Sequence, residues 1–258
     1  MVILTLGDVV SSSGCDFIRK KLPALKKLKG VDLCIANGEN SAKGNGITKQ
    51  SAEHLFLSGV DFITTGNHAF RRPESHDLYE SRDDIIRPYN YPSDVPGKGI
   101  GIIDMGRTRA AVINLMGNVS MGDSFDNPFL AADKALKEIP DIKIILVDFH
   151  AEATSEKQAL GFYLDGRVSA VFGTHTHVLT ADETVLPGGT GYITDIGMCG
   201  PSLSVLGVKK EIIIEKFKTN LPCRFDTADE KPCFINGCIF EIDEKSGRCL
   251  SVERITIS

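Results

Sequence analysis

The chain repeats one pattern, a short apolar run that ends in side chains able to bind a metal ion. The clearest instance is Gly173-Thr174-His175-Thr176-His177, which follows the apolar run 168–172. A run of this kind, bounded by glycine, is typical of a buried strand. His175 and His177 are two residues apart, so in an extended chain both side chains are expected to point to the same side.

Four more apolar runs end in the same way. They are Val2 to Leu6 before Gly7-Asp8, Val31 to Ala36 before Asn37-Gly38-Glu39-Asn40, Val60 to Thr64 before Gly66-Asn67-His68, and Ile142 to Phe149 before His150. Parallel strands bring their carboxyl ends to one edge of an open α/β sheet, which is where ligands bind. We therefore expect these polar side chains to converge on a single cleft.

Composition limits the class of protein. With 258 residues, 42% of them hydrophobic, the chain can bury a sizeable core, and residues 1–258 are predicted to form a single domain. A charged leader and an apolar stretch of ~20 residues are both missing, so we predict a cytoplasmic protein with no membrane partner. Seven cysteines without a C-x-x-C pair fit free thiols in a reducing compartment. A net charge of -5 argues against an extended nucleic-acid surface, although a small phosphorylated substrate needs only a local positive site.

Apolar runs alternate with helical patterns through the first half of the chain, and a hairpin pattern follows near the end. The predicted helices run from Asp16 to Leu28, from Thr48 to Ser58 with Thr48 as N-cap and Gly59 as stop, near Pro128 to Glu138, and from Lys209 to Phe217. A strand is predicted from Ala110 to Leu115, a long loop through Met121-Gly122-Asp123, and a hairpin of Phe234 to Ile242 with Cys249 to Ile257. This order favours the α/β (α+β) class.

Each polar residue at a strand end, taken alone, has a simple explanation, since a buried His or Asn there commonly caps a backbone group. Recurrence at five strand ends changes the interpretation, because polar side chains are costly to bury without partners and a shared cation satisfies them together. Imidazole, carboxylate and carboxamide ligands without thiolates suit iron, manganese or zinc in a hydrolytic site. The ligands outnumber what one ion needs, so we predict two ions with Glu39 as the bridging carboxylate.

In its motifs the sequence resembles the calcineurin-like metallophosphoesterases, whose strand ends carry an Asp, a second acidic residue, an Asn-His pair, a lone His and a Gly-x-His-x-His element in this order. The resemblance is closer to the bacterial YmdB-like branch of cyclic-nucleotide phosphodiesterases and covers almost the whole chain. The matching segments are Gly7 to Val10, Asn37 to Asn40, Gly66 to His68, Asp148 to Lys157, Gly173 to Val178 and Tyr192 to Met198. The resemblance implies the four-layer metallophosphoesterase fold, with two packed mixed β-sheets flanked by helices.

The resemblance also implies how the ligands divide between the two ions. One ion would be held by Asp8, Glu39, Asn40 and His177, and the other by Glu39, Asn67, His150 and His175. His68 would act as the general acid that protonates the leaving oxygen. The ions are expected to be divalent or mixed-valence, with iron as the first expectation and manganese or zinc as alternatives.

Three short segments depart from the family's pattern. Val10 stands where the superfamily's opening element has a His, Ala69-Phe70 follows His68 in place of a Thr-Trp pair, and Asn118 stands where relatives commonly have Arg. The last departure is expected to remove a contact to phosphate. Val10 also argues against an aspartyl-phosphate mechanism at Asp8, because that chemistry requires a second acid two residues later.

The residues predict a hydrolytic site with a hydroxide held between two metal ions, and the resemblance implies that the substrates are cyclic nucleotides, 2′,3′-cyclic AMP and also 3′,5′-cyclic AMP. Two alternatives stay open. A nucleotide phosphomonoesterase would release inorganic phosphate, and a regulatory or RNA-associated binding protein would bind ligand with negligible turnover. The sequence assigns no substrate-binding residue, and the resemblance implies a homo-oligomer.

Overall fold

The computed structural model describes residues 1–122, 125–228 and 231–258. Within these residues the helices are α1 (Ser11–Lys29), α2 (Lys49–Leu57), α3 (Ser75–Ser81), α4 (Pro128–Glu138), α5 (Thr154–Leu164) and α6 (Lys210–Thr219). The strands are β1 (Val2–Leu6), β2 (Asp8–Val9), β3 (Leu33–Asn37), β4 (Phe62–Thr64), β5 (Ile100–Asp104), β6 (Arg109–Met116), β7 (Ile144–His150), β8 (Ala170–Thr174), β9 (Thr184–Val185), β10 (Gly191–Ile193), β11 (Met198–Pro201), β12 (Cys233–Ile242) and β13 (Cys249–Ile257).

The described strands form two mixed sheets. In the first sheet the order is β2-β11-β12-β1-β3-β4, and β13 pairs with β12. Here β1, β3 and β4 are parallel, whereas β12 runs antiparallel to β1. In the second sheet the order is β5-β6-β7-β8-β10-β9, in which β6, β7, β8 and β10 are parallel and both edge strands are antiparallel to their neighbours.

Apolar side chains fill the spaces between successive layers. Phe62 of the first sheet and Phe172 of the second lie in the core between the sheets. Ile18 and Leu55 pack α1 and α2 onto the first sheet, and Leu160 packs α5 onto the second. The order helices, sheet, sheet, helices confirms the predicted four-layer arrangement. Among the described residues, no helix combines the length and the apolar character needed to cross a bilayer.

The start of α2 shows the predicted cap. The hydroxyl of Thr48 accepts the backbone N–H of Ser51 at 3.2 Å, and the hydroxyl of Ser51 accepts the backbone N–H of Thr48 at 3.0 Å. This reciprocal capping box satisfies two donors that a helix start leaves open. Beyond the end of the helix, Gly59 has a φ of 101°, which favours glycine, so both predicted boundaries of α2 are confirmed.

Other elements differ from the sequence prediction. α1 begins at Ser11 rather than Asp16, while the strands β12 and β13 form the predicted hairpin. Sequence patterns did not indicate α3, α5 or β5. In α5 the charged Lys157 interrupts the apolar face, yet its side chain is buried. Of the predicted loop Met121-Gly122-Asp123, the first two residues lie in neither helix nor strand and Asp123 lies outside the described residues.

Candidate active site

Five strand ends meet at one edge of the two packed sheets. In the first sheet, Asp8 follows the end of β1, Glu39-Asn40 the end of β3 and Asn67-His68 the end of β4, and all reach this edge. β7 and β8 of the second sheet bring His150 and the segment from His175 to His177. The structure therefore brings together every residue that the sequence proposes as a ligand or acid, and it draws them from both sheets.

The centre of the site consists of Asp8, Glu39 and His150, all of them buried. Each residue offers one ligand atom, and these atoms lie within 4.8 Å of one another. Asp8 Oδ2 accepts the backbone N–H of His175 at 3.1 Å, whereas Oδ1 is buried without a hydrogen-bond donor among the described residues. Burying a carboxylate oxygen without a partner is costly, and contact with a cation removes that cost. The donor set therefore fits a metal ion.

The Glu39 carboxylate is the most connected group in the site. Its Oε2 accepts the backbone N–H of His68 at 3.0 Å, and its Oε1 accepts from the side chains of His68 and Asn40, each at 3.0 Å. His150 Nε2 lies 3.4 Å from Oε2. Glu39 thus contacts Asn40, from the first ligand group that the family resemblance implies, and His150, from the second.

The first of these groups lies beside β2. His177 Nε2 is 3.4 Å from Asn40 Nδ2 and 3.7 Å from the unpartnered Asp8 Oδ1. On the other side of the ring, Nδ1 lies 3.1 Å from the backbone carbonyl of Leu206. A carbonyl only accepts, so Nδ1 donates the proton and the Nε2 lone pair of His177 is directed at the site.

The second group surrounds His150. Its Nε2 lies 2.8 Å from Asn67 Oδ1 and 3.1 Å from His175 Nδ1. Its Nδ1 lies 2.9 Å from the hydroxyl of Thr174, which donates to Asp148 at 2.7 Å. Since that hydroxyl has one proton, it accepts from His150 Nδ1, and the Nε2 lone pair faces the site. Sequence reasoning did not assign this orienting role to Thr174 or Asp148.

Burial and neighbouring charges set the protonation of the cluster. Burial raises the pKa of Asp8, and the Glu39 carboxylate raises it further. Burial also opposes ionisation of Glu39, but hydrogen bonds from the side chain and backbone of His68, together with the neighbouring imidazoles, outweigh it and hold the pKa of Glu39 well below its usual range. Burial lowers the pKa of His150 to about 3 and lowers those of the two histidines after β8. Neutral imidazoles and an ionised carboxylate are the forms that bind a metal ion.

His175 and His177 lie on a turn after β8, which ends at Thr174. Their φ angles are 97° and 65°, in the left-handed region that non-glycine residues seldom adopt. The expectation that an extended chain carries both side chains to one side is therefore wrong. A turn with two left-handed residues brings them to the same cleft instead, and such a turn requires support from its surroundings.

Asp195 supplies that support. Its Oδ2 accepts the backbone N–H and the hydroxyl of Thr176, at 3.1 and 2.7 Å, and its Oδ1 accepts the backbone N–H of Gly197. Lys157 Nζ lies 2.7 Å from the same Oδ2 and donates to the carbonyl of Thr174 at 2.8 Å. Sequence reasoning missed Lys157 and Asp195 as supports, although both lie in segments that match the family.

A cavity of about 490 Å³ adjoins the cluster. Glu39, His68 and His177 line it together with the apolar side chains of Leu206 and Phe225. The volume lies within the range of roughly 300–1,000 Å³ that small-molecule sites occupy. The arrangement joins a buried set of metal-binding atoms to a space large enough for a nucleotide.

Two departures from the family pattern have structural roles of their own. Asn118 exchanges two hydrogen bonds with the backbone of Phe125, donating at 3.1 Å and accepting at 2.9 Å. Ala69 is fully buried, and the ring of Phe70 packs edge-on against Tyr79 with 5.3 Å between centroids. These side chains hold loops in place beside the site.

Solved structures share this architecture. A hypothetical protein from Thermus thermophilus is 40% identical with a TM-score of 0.94, over 100% of this chain and 99% of that chain. A protein from Mycoplasma pneumoniae described as a novel phosphatase is 34% identical with a TM-score of 0.93, over 100% of this chain and 93% of that chain. The NAD nucleotidase of Haemophilus influenzae, 13% identical with a TM-score of 0.57 over 99% and 55%, shares the fold alone.

The sequence has a relative of similar length. The chain is 46% identical over 259 residues to the 2′,3′-cyclic-nucleotide 2′-phosphodiesterase of Bacillus subtilis (strain 168), with 100% of this chain and 97% of that protein covered. The model of the YmdB-like protein family matches residues 4–255. The resemblance read from the motifs is confirmed, and the chain belongs to the YmdB-like protein family.

Proposed function

We propose that this chain is a metal-dependent phosphodiesterase that opens 2′,3′-cyclic nucleotides. The observation that carries the proposal is the buried cluster of Asp8, Glu39 and His150 beside a nucleotide-sized cavity, with Asp8 Oδ1 lacking a donor among the described residues. Relatives named phosphodiesterase and phosphatase support a hydrolase, and the relative that is 46% identical is named for this reaction.

The ligand set favours two metal ions. Asp8, Glu39, Asn40 and His177 would hold one ion, and Glu39, Asn67, His150 and His175 the other. When bound, such ions neutralise charge on the phosphoryl oxygens and make water a stronger nucleophile at neutral pH. Imidazole, carboxylate and carboxamide donors suit iron, manganese or zinc, and we keep iron as the first expectation because of the family resemblance.

His68 is the residue that we propose as the general acid. Its Nδ1 donates to Glu39 Oε1 at 3.0 Å, because an ionised carboxylate only accepts. This hydrogen bond fixes the ring. Nε2 lies 3.5 Å from Asn67 Nδ2, and in the protonated ring Nε2 would carry the proton that the departing sugar oxygen needs. The side chain is 30% exposed and lines the cavity, so a substrate can reach it.

The test begins with metal analysis of protein purified without added metals. The holoenzyme is then given 2′,3′-cyclic AMP and 3′,5′-cyclic AMP, and the products are separated. We expect a nucleoside monophosphate without inorganic phosphate, and loss of turnover in Asp8→Asn. Asp94→Asn, at an exposed aspartate, is the matched control and should keep wild-type turnover. A metal-loaded enzyme that leaves 2′,3′-cyclic AMP intact would contradict the proposal.

The second candidate is a nucleotide phosphomonoesterase, favoured by the description of the Mycoplasma pneumoniae relative as a phosphatase. Release of inorganic phosphate from AMP, faster than opening of the cyclic ester, would support it. The same assay also tests the binding-protein alternative, since tight binding of intact cyclic nucleotide with negligible turnover would favour that class. The homo-oligomer and the single domain of residues 1–258 stay predictions.

A further inference from the structure

The cavity at the candidate metal cluster continues into a second groove. This groove has a volume of about 900 Å³. Gly44, Asn45, Phe225 and Thr227 line both spaces. The two spaces are therefore adjoining parts of one depression, which leads from the candidate metal ligands along the protein surface.

The second groove is basic. Lys43, Arg71 and Arg224 line it and are exposed. Among the described residues no ion pair joins any of these three side chains to an acidic group. Asp226, which also lines the groove, is paired with Lys209 at 2.7 Å. Asp226 also interacts electrostatically with Lys43 and Arg224, but among the described lining residues it is a single carboxylate facing several cations. In a chain whose net charge is -5, the described part of the groove is therefore a local concentration of positive charge.

The wall shared by the two spaces is held in a fixed shape. Gly44, Asn45 and Gly46 have φ angles of 75°, 70° and 81°, so the segment is a run of left-handed residues. Arg72 donates from Nε to the carbonyl of Asn45 at 3.0 Å and bonds the carbonyl of Lys43 with another guanidinium nitrogen. Two guanidinium nitrogens of Arg72 thus bond this wall, which positions Lys43 at the groove.

A 2′,3′-cyclic mononucleotide gives this groove no role. It has a single phosphate, which must sit at the metal cluster to react, and the first cavity alone is large enough for a small ligand. The same cyclic phosphate ends an RNA fragment when a 2′-hydroxyl attacks the neighbouring phosphodiester and releases a 5′-hydroxyl fragment. In that fragment the terminal ribose bears a further phosphate on its 5′ oxygen. Unpaired Lys and Arg side chains in a groove attract such a backbone.

We propose that the substrate is the 2′,3′-cyclic phosphate end of a short oligoribonucleotide, with the terminal nucleotide in the first cavity and the preceding phosphates in the basic groove. This inference rests on the proposed function. Water adds its oxygen to phosphorus, the bond from phosphorus to the 2′ oxygen breaks, and that oxygen takes a proton, which leaves a 3′-phosphate end. Phe225 is 49% exposed and common to both spaces, and Lys216 Nζ lies 4.6 Å from its ring centroid, so a base would stack on the opposite face of the ring.

The test compares three substrates with the same reacting end on the metal-loaded enzyme. They are adenosine 2′,3′-cyclic phosphate, the same compound with a 5′-phosphate, and a tetraribonucleotide that ends in it. We expect kcat/KM to rise along this series at low salt. The advantage should fall with salt, at a logarithmic slope of about -0.7 for each phosphate bound. Equal kcat/KM for all three overturns the inference and leaves the proposed function intact, whereas no turnover of any overturns the proposed function.

Two substitutions locate the effect. Arg71→Gln and Arg224→Gln should each lower kcat/KM for the tetranucleotide by about two- to five-fold, more than for the mononucleotide. Lys20→Gln, at an exposed lysine of α1, is the matched control and should leave the ratio of the two substrates unchanged. Melting temperatures verify that the exposed substitutions leave the fold intact. Equal losses on both substrates in the two arginine variants would contradict a role in backbone binding.

Discussion

Lys157 and Asp195 form an ion pair that is closed off from solvent, with 2.7 Å between Nζ and Oδ2 and side chains that are 1% and 0% exposed. The pair lies behind the turn that carries His175 and His177, and both of its members also bond that turn or the strand before it. The conformation of the two histidines therefore depends on a charge pair that does not face the cavity.

Breaking this pair should be costly. Lys157→Met leaves Asp195 as an uncompensated buried charge, so we expect a loss of about 3–5 kcal/mol in the free energy of unfolding, measured with urea. Lys98→Met is the matched control, since its partner Asp83 is exposed and such pairs contribute under about 1 kcal/mol. Equal losses of unfolding free energy in the two variants would show that the buried pair does not support the turn.

Removing the charge of Glu39 should affect both proposed ions. Glu39→Gln keeps the size of the side chain, so the metal content should fall well below two ions per chain and turnover should be lost. Metal content is measured by elemental analysis of the purified variant. Glu74→Gln, the same change at an exposed position, should retain the metal. A variant that keeps two ions and near-normal turnover would remove the bridging assignment.

The role of His68 is tested through the leaving group. A ribose alkoxide needs a proton, whereas the nitrophenolate of a nitrophenyl phosphodiester leaves without one. His68→Ala should therefore slow cyclic-nucleotide hydrolysis by roughly 10²- to 10⁴-fold and nitrophenyl ester hydrolysis much less. His76→Ala, at an exposed histidine of α3, should change neither rate. If both substrates slow equally at constant metal content, His68 positions the site and the acid lies elsewhere.

Acid should destabilise the metal-free protein through His150. Its pKa is about 3 in the fold and 6.5 when unperturbed, so below pH 6.5 the unfolded chain binds a proton that the folded protein does not. Stability is therefore present above pH 6.5 and lost as the pH falls towards 3, by about 1.4 kcal/mol per pH unit. When the pH is lowered from 7 to 5.5, the free energy of unfolding of His150→Gln, measured with urea, should fall by about 1 kcal/mol less than that of the wild type. If the wild type and the variant lose the same free energy of unfolding over this pH range, the ring of His150 is not held neutral.

Gly66 allows the close approach of two candidate ligands. A Cβ at this position would lie 2.3 Å from His150 Nε2 and 2.4 Å from Glu39 Oε2. Gly66→Ala should therefore displace both side chains and lower metal content in a protein that still folds. Gly101→Ala is the contrasting variant, because its Cβ would meet the ring of Phe62 in the core. In Gly101→Ala we expect lower stability with the metal retained. Loss of metal in Gly101→Ala and retention in Gly66→Ala would contradict the assignment of Glu39 and His150 as ligands.

The long, regular elements could be predicted from the sequence because their local signals agree with the fold. The cap at Thr48 and the hairpin of β12 and β13 follow from local chemistry. α3 is seven residues long and α5 buries Lys157, so neither shows an uninterrupted apolar face. The charge of Lys157 is compensated by Asp195, 38 residues later, which no local pattern reveals.

The candidate site was predictable in its residue types and only partly in its geometry. The ends of the apolar runs correctly indicated which polar residues would meet, since strand ends share an edge. The left-handed turn at His175 and His177 was not predictable, because tertiary hydrogen bonds that Thr176 donates to Asp195 stabilise it. The tautomer of His150 likewise depends on the hydroxyl of Thr174 and the carboxylate of Asp148. In the sequence these two residues look like ordinary members of a strand.

The candidate ligands come from two different sheets, with Asp8 and Glu39 on one and His150 on the other. A cation held by all three would cross-link the two sheets. Ion binding and folding would then be thermodynamically linked. At a free ion concentration about 100 times its dissociation constant, such linkage stabilises the folded state by about 2.7 kcal/mol. The amount of folded protein in a cell would then vary with metal supply, so scarcity would lower abundance as well as turnover.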